Sequence, residues 1–211
     1  MDASLLRDWM AEISSAVTAK RDYLTQLDAA IGDADHGVNL HRGFSAVQAR
    51  LDESDDLTPG QVLVTAGSTL VSKVGGAAGP LYGTALRQAG KALGDTDEFD
   101  EAALLRALQA GLEGVRKLGA AAEGDKTMID AFAPAVAAFA EVVDAGGGLL
   151  AAAERAERAA EEGMTATVPL QARKGRASYL GPRSVGHQDP GATSTAMVFS
   201  ALRRAAARAR P

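Results

Sequence analysis

The chain alternates amphipathic helical segments with short polar connections, and glycine-rich connections recur at intervals along it. That rhythm restricts the fold more than any other feature. Ser4 to about Leu24 places Leu6, Trp9, Met10, Ile13 and Val17 at three- to four-residue spacing, with Arg7, Asp8 and Glu12 off the stripe. A helix with one buried face requires that pattern. Val38 to about Leu51 repeats it through Leu40, Phe44, Val47 and Leu51. Thr58-Pro59 supplies an N-cap and a proline at the first helical position, opening a helix to about Ser72. Further helices are expected from Pro80 to about Leu93, about Asp100 to Leu118, Thr127 to Val143 with Pro134 as a kink point, Leu149 to Glu162, and Gly191 to about Arg208. Eight helices and no strand predict an all-α fold, an eight-helix antiparallel up-and-down bundle or barrel.

Composition agrees. Aromatics make up only 4% of the chain while alanine is abundant, which favours closely packed helices over sheets. With 211 residues and 46% apolar content, one domain spanning 1–211 is expected. No fixed-period repeat points to a solenoid. In an up-and-down bundle, alternate connections lie at the same end. Asp28–Asn39, Gly75–Pro80, Gly119–Lys126 and Val168–Pro190 are alternate connections. They are expected to gather into one site at one end of the bundle.

Several function classes are excluded. A net charge of −5 argues against nucleic-acid binding by bulk electrostatics. The basic run Arg203-Arg204 through Arg208 and Arg210 suits a helix C-terminus, where the macrodipole favours cations. Without cysteine there is no disulfide framework and no thiol nucleophile. No apolar signal region and no span of about 20 apolar residues occurs, so a soluble cytoplasmic protein with no membrane partner is expected.

The chemistry concentrates in the four gathered connections. Asp28, Asp33 and Asp35 fall at spacing i, i+5, i+7, among Gly32 and Gly37 and close to Asn39. Carboxylates packed this closely repel one another unless a cation sits between them, and hard oxygen donors favour Mg²⁺ or Ca²⁺. The spacing is not that of an EF-hand. A plain turn at Asp35-His36-Gly37 is the alternative. Gly75–Gly79 ahead of a helix resembles an anion cradle, since free N–H groups at a helix N-terminus bind phosphate; close helix packing would also explain those glycines. Asp125, Thr127 and Asp189 each fit an N-cap role, and Lys126 fits a solvated side chain. Met128 fits either the core or a soft lid over an adenine ring. Arg173, Lys174, Arg176 and Arg183 surround the last connection, and guanidinium suits phosphate. His36 is the best candidate for a phosphate hydrogen bond; His187 fits a bond to a backbone carbonyl and His41 a helix surface. Metal-holding acids, a backbone cradle and a few cations meet the needs of phosphoryl transfer, which points to a Mg–nucleotide-dependent phosphotransferase.

Four stretches also carry a resemblance. Ile31-Gly-Asp-Ala-Asp-His-Gly-Val-Asn39, Gly75-Gly-Ala-Ala-Gly-Pro-Leu-Tyr-Gly83, Gly124-Asp-Lys-Thr-Met128, and Gly175-Arg-Ala-Ser-Tyr-Leu-Gly181 through Gly186-His-Gln-Asp-Pro-Gly-Ala-Thr-Ser194 are similar to the nucleotide-binding L subunit of dihydroxyacetone kinases. The resemblance covers nearly the whole chain in order. It implies an eight-helix barrel with ADP or ATP held at one end. It implies Asp28, Asp33 and Asp35 as ligands of a pair of Mg²⁺ ions, and His36, Gly37, Val38, Asn39, Ala77 and Ala78 as phosphate contacts. Gly119, Met128, Arg176, Asp189, Pro190 and Gly191 would line the nucleotide. The family commonly has Ser where this chain has Ala78, so one hydroxyl contact is missing and weakened binding is expected.

The resemblance also implies partners. No room remains in the chain for a substrate domain, so the phosphotransferase-system form is expected. There, bound ADP is rephosphorylated in place by a phosphohistidine donor M subunit. The γ-phosphoryl then passes to dihydroxyacetone held by the K subunit. Two alternatives stand beside this: an ATP-consuming kinase domain acting with a separate substrate protein on a small polyol or fatty acid, and a non-catalytic regulatory module. A homodimer is left open.

Overall fold

The structure, a computed structural model, describes residues 1–209. Among them it contains eight α-helices: α1 (Ala3–Ile31), α2 (His36–Asp52), α3 (Pro59–Lys73), α4 (Ala78–Leu93), α5 (Glu101–Gly119), α6 (Ile129–Asp144), α7 (Leu149–Ala166) and α8 (Pro190–Arg208). A 3-10 segment, Arg176–Ser184, lies between α7 and α8. The described residues form no strand, only an isolated bridge between Asp2 and Glu98.

Each helix packs on the next in sequence, and α8 packs on α1, so the helices close into a ring. The apolar stripes supply the core: Leu6, Trp9, Met10, Ile13 and Val17 of α1 and Leu40, Phe44, Val47 and Leu51 of α2 are all buried. Thr58 opens α3 with a capping box, its hydroxyl accepting from Gln61 N–H while the Gln61 side chain accepts from Thr58 N–H. Along the α3–α4 seam, glycines replace side chains. A Cβ on Gly67 would stand 2.6 Å from the Gly83 carbonyl oxygen, and one on Gly90 would stand 2.5 Å from that of Gly60. Only hydrogen at these positions lets the two backbones touch.

The ring closure is polar as well as apolar. Trp9 Nε1 donates to Val198 O at 2.9 Å. Arg204 Nε pairs with Glu12 at 2.7 Å, and Arg203 Nε with Glu157 at 2.7 Å. Arg208 also reaches Glu12. The basic run at the end of α8 therefore ties it to α1 and α7 through ion pairs, which adds to any dipole effect; Arg210 lies outside the described residues. The α2–α3 and α4–α5 connections meet the N-terminus at one end of the ring, where Met1 and Phe99 exchange backbone hydrogen bonds of 3.0 and 2.8 Å. The connections that follow α1, α3, α5 and α7 occupy the other end.

Two features differ most from the sequence expectation. α1 runs past Leu24 to Ile31, and α2 begins at His36. The connection expected over Asp28–Asn39 is therefore only 32–35, and Asp28 sits on the last turn of a helix. The second difference is the 3-10 segment, which lies in the stretch expected to be irregular. No helix of the described residues is long and apolar enough to cross a membrane.

Candidate functional site

All four connections line one cavity of about 290 Å³ at that end of the ring. Its floor is acidic. Asp28 occupies the slot of the α1 stripe between buried Leu24 and Ile31 and is itself buried. Its Oδ2 accepts the N–H groups of Asp35 (2.9 Å) and His36 (3.2 Å), so the carboxylate faces the N-terminus of α2. Asp33 and Asp35 flank Ala34, which is held in the left-handed region at φ 62°. Carboxylate oxygens of Asp28, Asp33 and Asp35 lie within 4.8 Å of one another. The only ion pair to this trio among the described residues comes from Arg176, whose Nε reaches Asp33 Oδ2 at 3.0 Å. Three acids with one guanidinium leave an excess of negative charge on hard oxygen donors. That set fits Mg²⁺.

Opposite the acids, the α3–α4 connection presents Gly75, Gly76, Ala77 and Ala78 to the cavity at the start of α4. Asn39 stands beside them, and its Oδ1 accepts from Arg42 Nη2 at 2.7 Å while Arg42 Nε donates to Lys73 O at 2.8 Å. Both ends of the Asn39 amide lie 3.3 Å from where a Cβ on Gly75 would stand, so the amide packs edge-on against the cradle. A third wall is apolar: Leu81, Val115, Ala121, Met128 and Ile129. It suits a flat heterocycle, with Gly119 leaving space at its edge.

The last wall is a buried polar layer. His36 Nε2 meets Ser194 Oγ at 2.9 Å, and Tyr82 OH meets Ser194 Oγ at 2.7 Å and Thr195 Oγ1 at 2.9 Å. Burial pushes the His36 imidazole below its ordinary range, which favours the neutral ring. Burial raises the Tyr82 phenol to about 12. Asp189 caps α8 by accepting from Ala192 N–H at 2.7 Å. Burial pushes its carboxyl up to about 7.

Ala34, Ala120 and Lys126 are the only non-glycine residues with positive φ among the described residues, and all three lie at this end. Strained backbone of this kind persists where surrounding structure over-determines it, and it clusters at functional sites.

Of the residues singled out in the sequence, Asp28, Asp33, Asp35, His36, Asn39, Ala77, Ala78, Gly119, Met128, Arg176, Asp189, Pro190 and Gly191 all line the cavity. Gly37 and Val38 do not. Gly37 is buried against α1, where a Cβ would strike the carbonyl oxygen of Arg21, and Val38 is 48% exposed. Arg173, Arg183 and the exposed His187 ring are also off the wall, whereas Lys174 is on it. Lys126 is not a solvated side chain: it is 1% exposed. Thr127 caps its own loop through Ile129 N–H at 3.2 Å, and Asp125 accepts from Ala122 N–H at 2.9 Å. Asp130 is not among the residues singled out in the sequence, and Tyr82 and Ser194 stand in the quoted motifs without an assigned role. Asp130 accepts from Gly124 N–H (2.6 Å) and Thr127 N–H (2.7 Å), shaping the Met128 loop. The available signal for Tyr82 was its place on the α4 stripe, where a tyrosine needs a buried partner for its hydroxyl.

A family model described as the DAK2 domain matches residues 30–204. The chain is 42% identical over 199 residues to the PEP-dependent dihydroxyacetone kinase ADP-binding subunit DhaL of Escherichia coli K12, covering 94% of this chain and 95% of that protein. This chain belongs to the DhaL family of DAK2 domain proteins. A DhaL subunit of Listeria innocua is likewise 42% identical over 194 residues, covering 92% of both chains. The dihydroxyacetone kinase of C. freundii has the same fold, with a TM-score of 0.72 at 26% identity over 97% of the DhaL-family chain described here. The match occupies 35% of that longer kinase, which has also been solved in complex with AMP-PNP and Mg²⁺.

Proposed function

We propose that this chain, acting as one domain over 1–211, is the ADP-binding subunit of a phosphoenolpyruvate-dependent dihydroxyacetone kinase. The observation that carries the proposal is the convergence of Asp28, Asp33 and Asp35 within 4.8 Å at the foot of a cavity walled by the start of α4 and by Met128. In this role Asp28, Asp33 and Asp35 hold two Mg²⁺ ions. When bound, those ions neutralise charge developing on the β- and γ-phosphate oxygens.

The chain's own residues position the rest. Backbone N–H groups at Ala77 and Ala78 and the Asn39 amide take the phosphates. Neutral His36, its ring set by Ser194, faces the same region. Arg176 supplies a permanent positive charge at the mouth. Leu81, Val115 and Met128 pack against the base, with Gly119 and Asp189–Gly191 at its margins. These residues would hold ADP in place while a phosphohistidine on a donor subunit gives up its phosphoryl group, its N–P bond breaking as a bond to the β-phosphate oxygen forms, and again while that group moves on to the hydroxyl of dihydroxyacetone presented by a substrate-binding subunit, giving dihydroxyacetone phosphate. The base that deprotonates the hydroxyl belongs to that partner. Catalysis by this chain consists of positioning and charge neutralisation.

The experiment is to denature freshly purified protein and assay the supernatant for ADP. Near-stoichiometric ADP supports a resident cofactor. Absence of ADP, with MgATP binding that washes off, replaces the proposal by an ATP-consuming kinase domain. No nucleotide binding at all leaves a regulatory module.

A further inference from the structure

We infer that Lys126 is a positioning residue that latches the α7–α8 connection across the cavity and thereby sets how long a nucleotide stays. The inference rests on the proposal that the cavity holds ADP. The Lys126 backbone is left-handed at φ 63°, and this turns its side chain inward from a short surface loop. The ammonium is buried and donates to Thr167 O at 2.6 Å and to His187 O. Those carbonyls belong to the first residue after α7 and to a residue just before α8, so one side chain fastens both ends of a long connection.

Other bonds converge on the same junction. Thr167 Oγ1 accepts the N–H of Asp189 at 3.0 Å, and Asp189 caps α8. Arg173 N–H donates to Asp125 O at 3.1 Å, one residue before Lys126. On the other side of Lys126, the Met128 backbone nitrogen lies 3.5 Å from where a Cβ on Gly191 would stand. The latch therefore joins the Met128 wall to the Asp189–Gly191 wall, and it touches none of the three clustered acids. A buried ammonium is expensive unless hydrogen-bonded, and Met or Leu would fill the same space without that penalty. Lysine here serves to hold two loops, because three short donors on one flexible stem can reach two carbonyls at once. Burial pulls the Lys126 ammonium below its ordinary range, and the fields of Asp189 and Asp130 offset part of that.

The test compares wild type with K126M, which leaves both carbonyls unpaired, and K126Q, which keeps one amide donor if the methionine variant folds poorly. Dissociation of a fluorescent ADP analogue in Mg²⁺ is followed after dilution into excess ADP. We expect dissociation about ten-fold faster or more in K126M, with K126Q between, and an unchanged association rate; ten-fold corresponds to about 1.4 kcal/mol. Hydrogen exchange on nucleotide-free protein should rise within 167–189 and stay unchanged in α2, α3 and α4. A general loss of stability would lower the bindable fraction without altering dissociation from the bound fraction. Wild-type dissociation in both variants, or exchange rising evenly through all eight helices, overturns the latch. Wild-type protein that binds no analogue overturns the underlying proposal instead, and the exchange result at 167–189 then decides the latch alone.

Discussion

Asp28 does two jobs, and they separate on paired substitutions. Its Oδ2 accepts two backbone N–H groups at the start of α2. Its charge belongs to a trio with oxygens within 4.8 Å. Replacing it with alanine removes two charge-assisted bonds, worth about 1.5 kcal/mol each at the low end for a charged acceptor, and a favourable dipole contact of about 0.5 kcal/mol. It also relieves repulsion. At that separation, solvent-screened pairs repel by about 1 kcal/mol, and Asp33 is already balanced by Arg176. The loss wins by about 2.5 kcal/mol, which for a chain of this size lowers the melting temperature of metal-free protein by roughly 5–10 °C. Asp28→Asn keeps an oxygen for both N–H groups, so weaker bonds and relieved repulsion offset one another within about 0.5 kcal/mol. Both variants should lose Mg²⁺-dependent ADP binding by at least about 100-fold, the weight of one carboxylate ligand. Urea denaturation without metal gives the first comparison and titration calorimetry with MgADP the second. An alanine variant as stable as wild type would refute the capping assignment. An asparagine variant binding MgADP with wild-type affinity would refute the metal assignment.

Three further outcomes are expected. The Asp189 carboxyl is raised to about 7 by burial, so the folded state holds a proton that the unfolded chain releases near pH 4. Stability of nucleotide-free protein should therefore fall as pH rises from about 4 to 7, by up to about 4 kcal/mol from this group. Asp189→Asn should remove that slope in urea denaturation, and identical slopes in the two proteins would show the group is not buried as described. Ala78→Ser restores a hydroxyl at the start of α4 and should tighten nucleotide binding by about 5-fold, near 1 kcal/mol; weaker binding by calorimetry would count against phosphate at that position. Gly37→Ala gains about 1 kcal/mol of helix propensity but drives a Cβ into Arg21 O, at about 1–3 kcal/mol for overpacking. Its melting temperature should drop, and a rise would mean α1 and α2 are not in backbone contact there.

Much of this was legible before any coordinates. The helical count and the gathering of four connections follow from periodicity and alternation alone, because a closed ring of antiparallel helices leaves little freedom in which loops meet. The end of α1 was missed because Asp28 was read as a loop acid. Its position, four residues after Leu24 and three before Ile31, is a stripe position where burial replaced an apolar side chain by a carboxylate. The resemblance places Gly37 at the phosphates; at this second position of α2 the Cβ direction points at α1, so a phosphate contact there would fall to the backbone. Lys126 was invisible for a different reason. A lysine in a short polar loop is ordinarily solvated, and only its left-handed backbone turns the stem inward. Sequence patterns report which face is buried on average; they do not report a single φ.

The contact of α8 with α1 has a consequence for how the protein comes into being. The floor acid Asp28 is made early, while Asp189–Gly191 and the helix that covers Trp9 emerge from the ribosome only with the last part of the chain. Until then the inner stripe of α1 is covered only in part, by α2 and α3, and the cavity lacks one wall. Closure of the cavity thus waits on α8: a chain truncated before it would present all three clustered acids beside an open apolar groove, a form that chaperones and proteases distinguish readily from the finished ring.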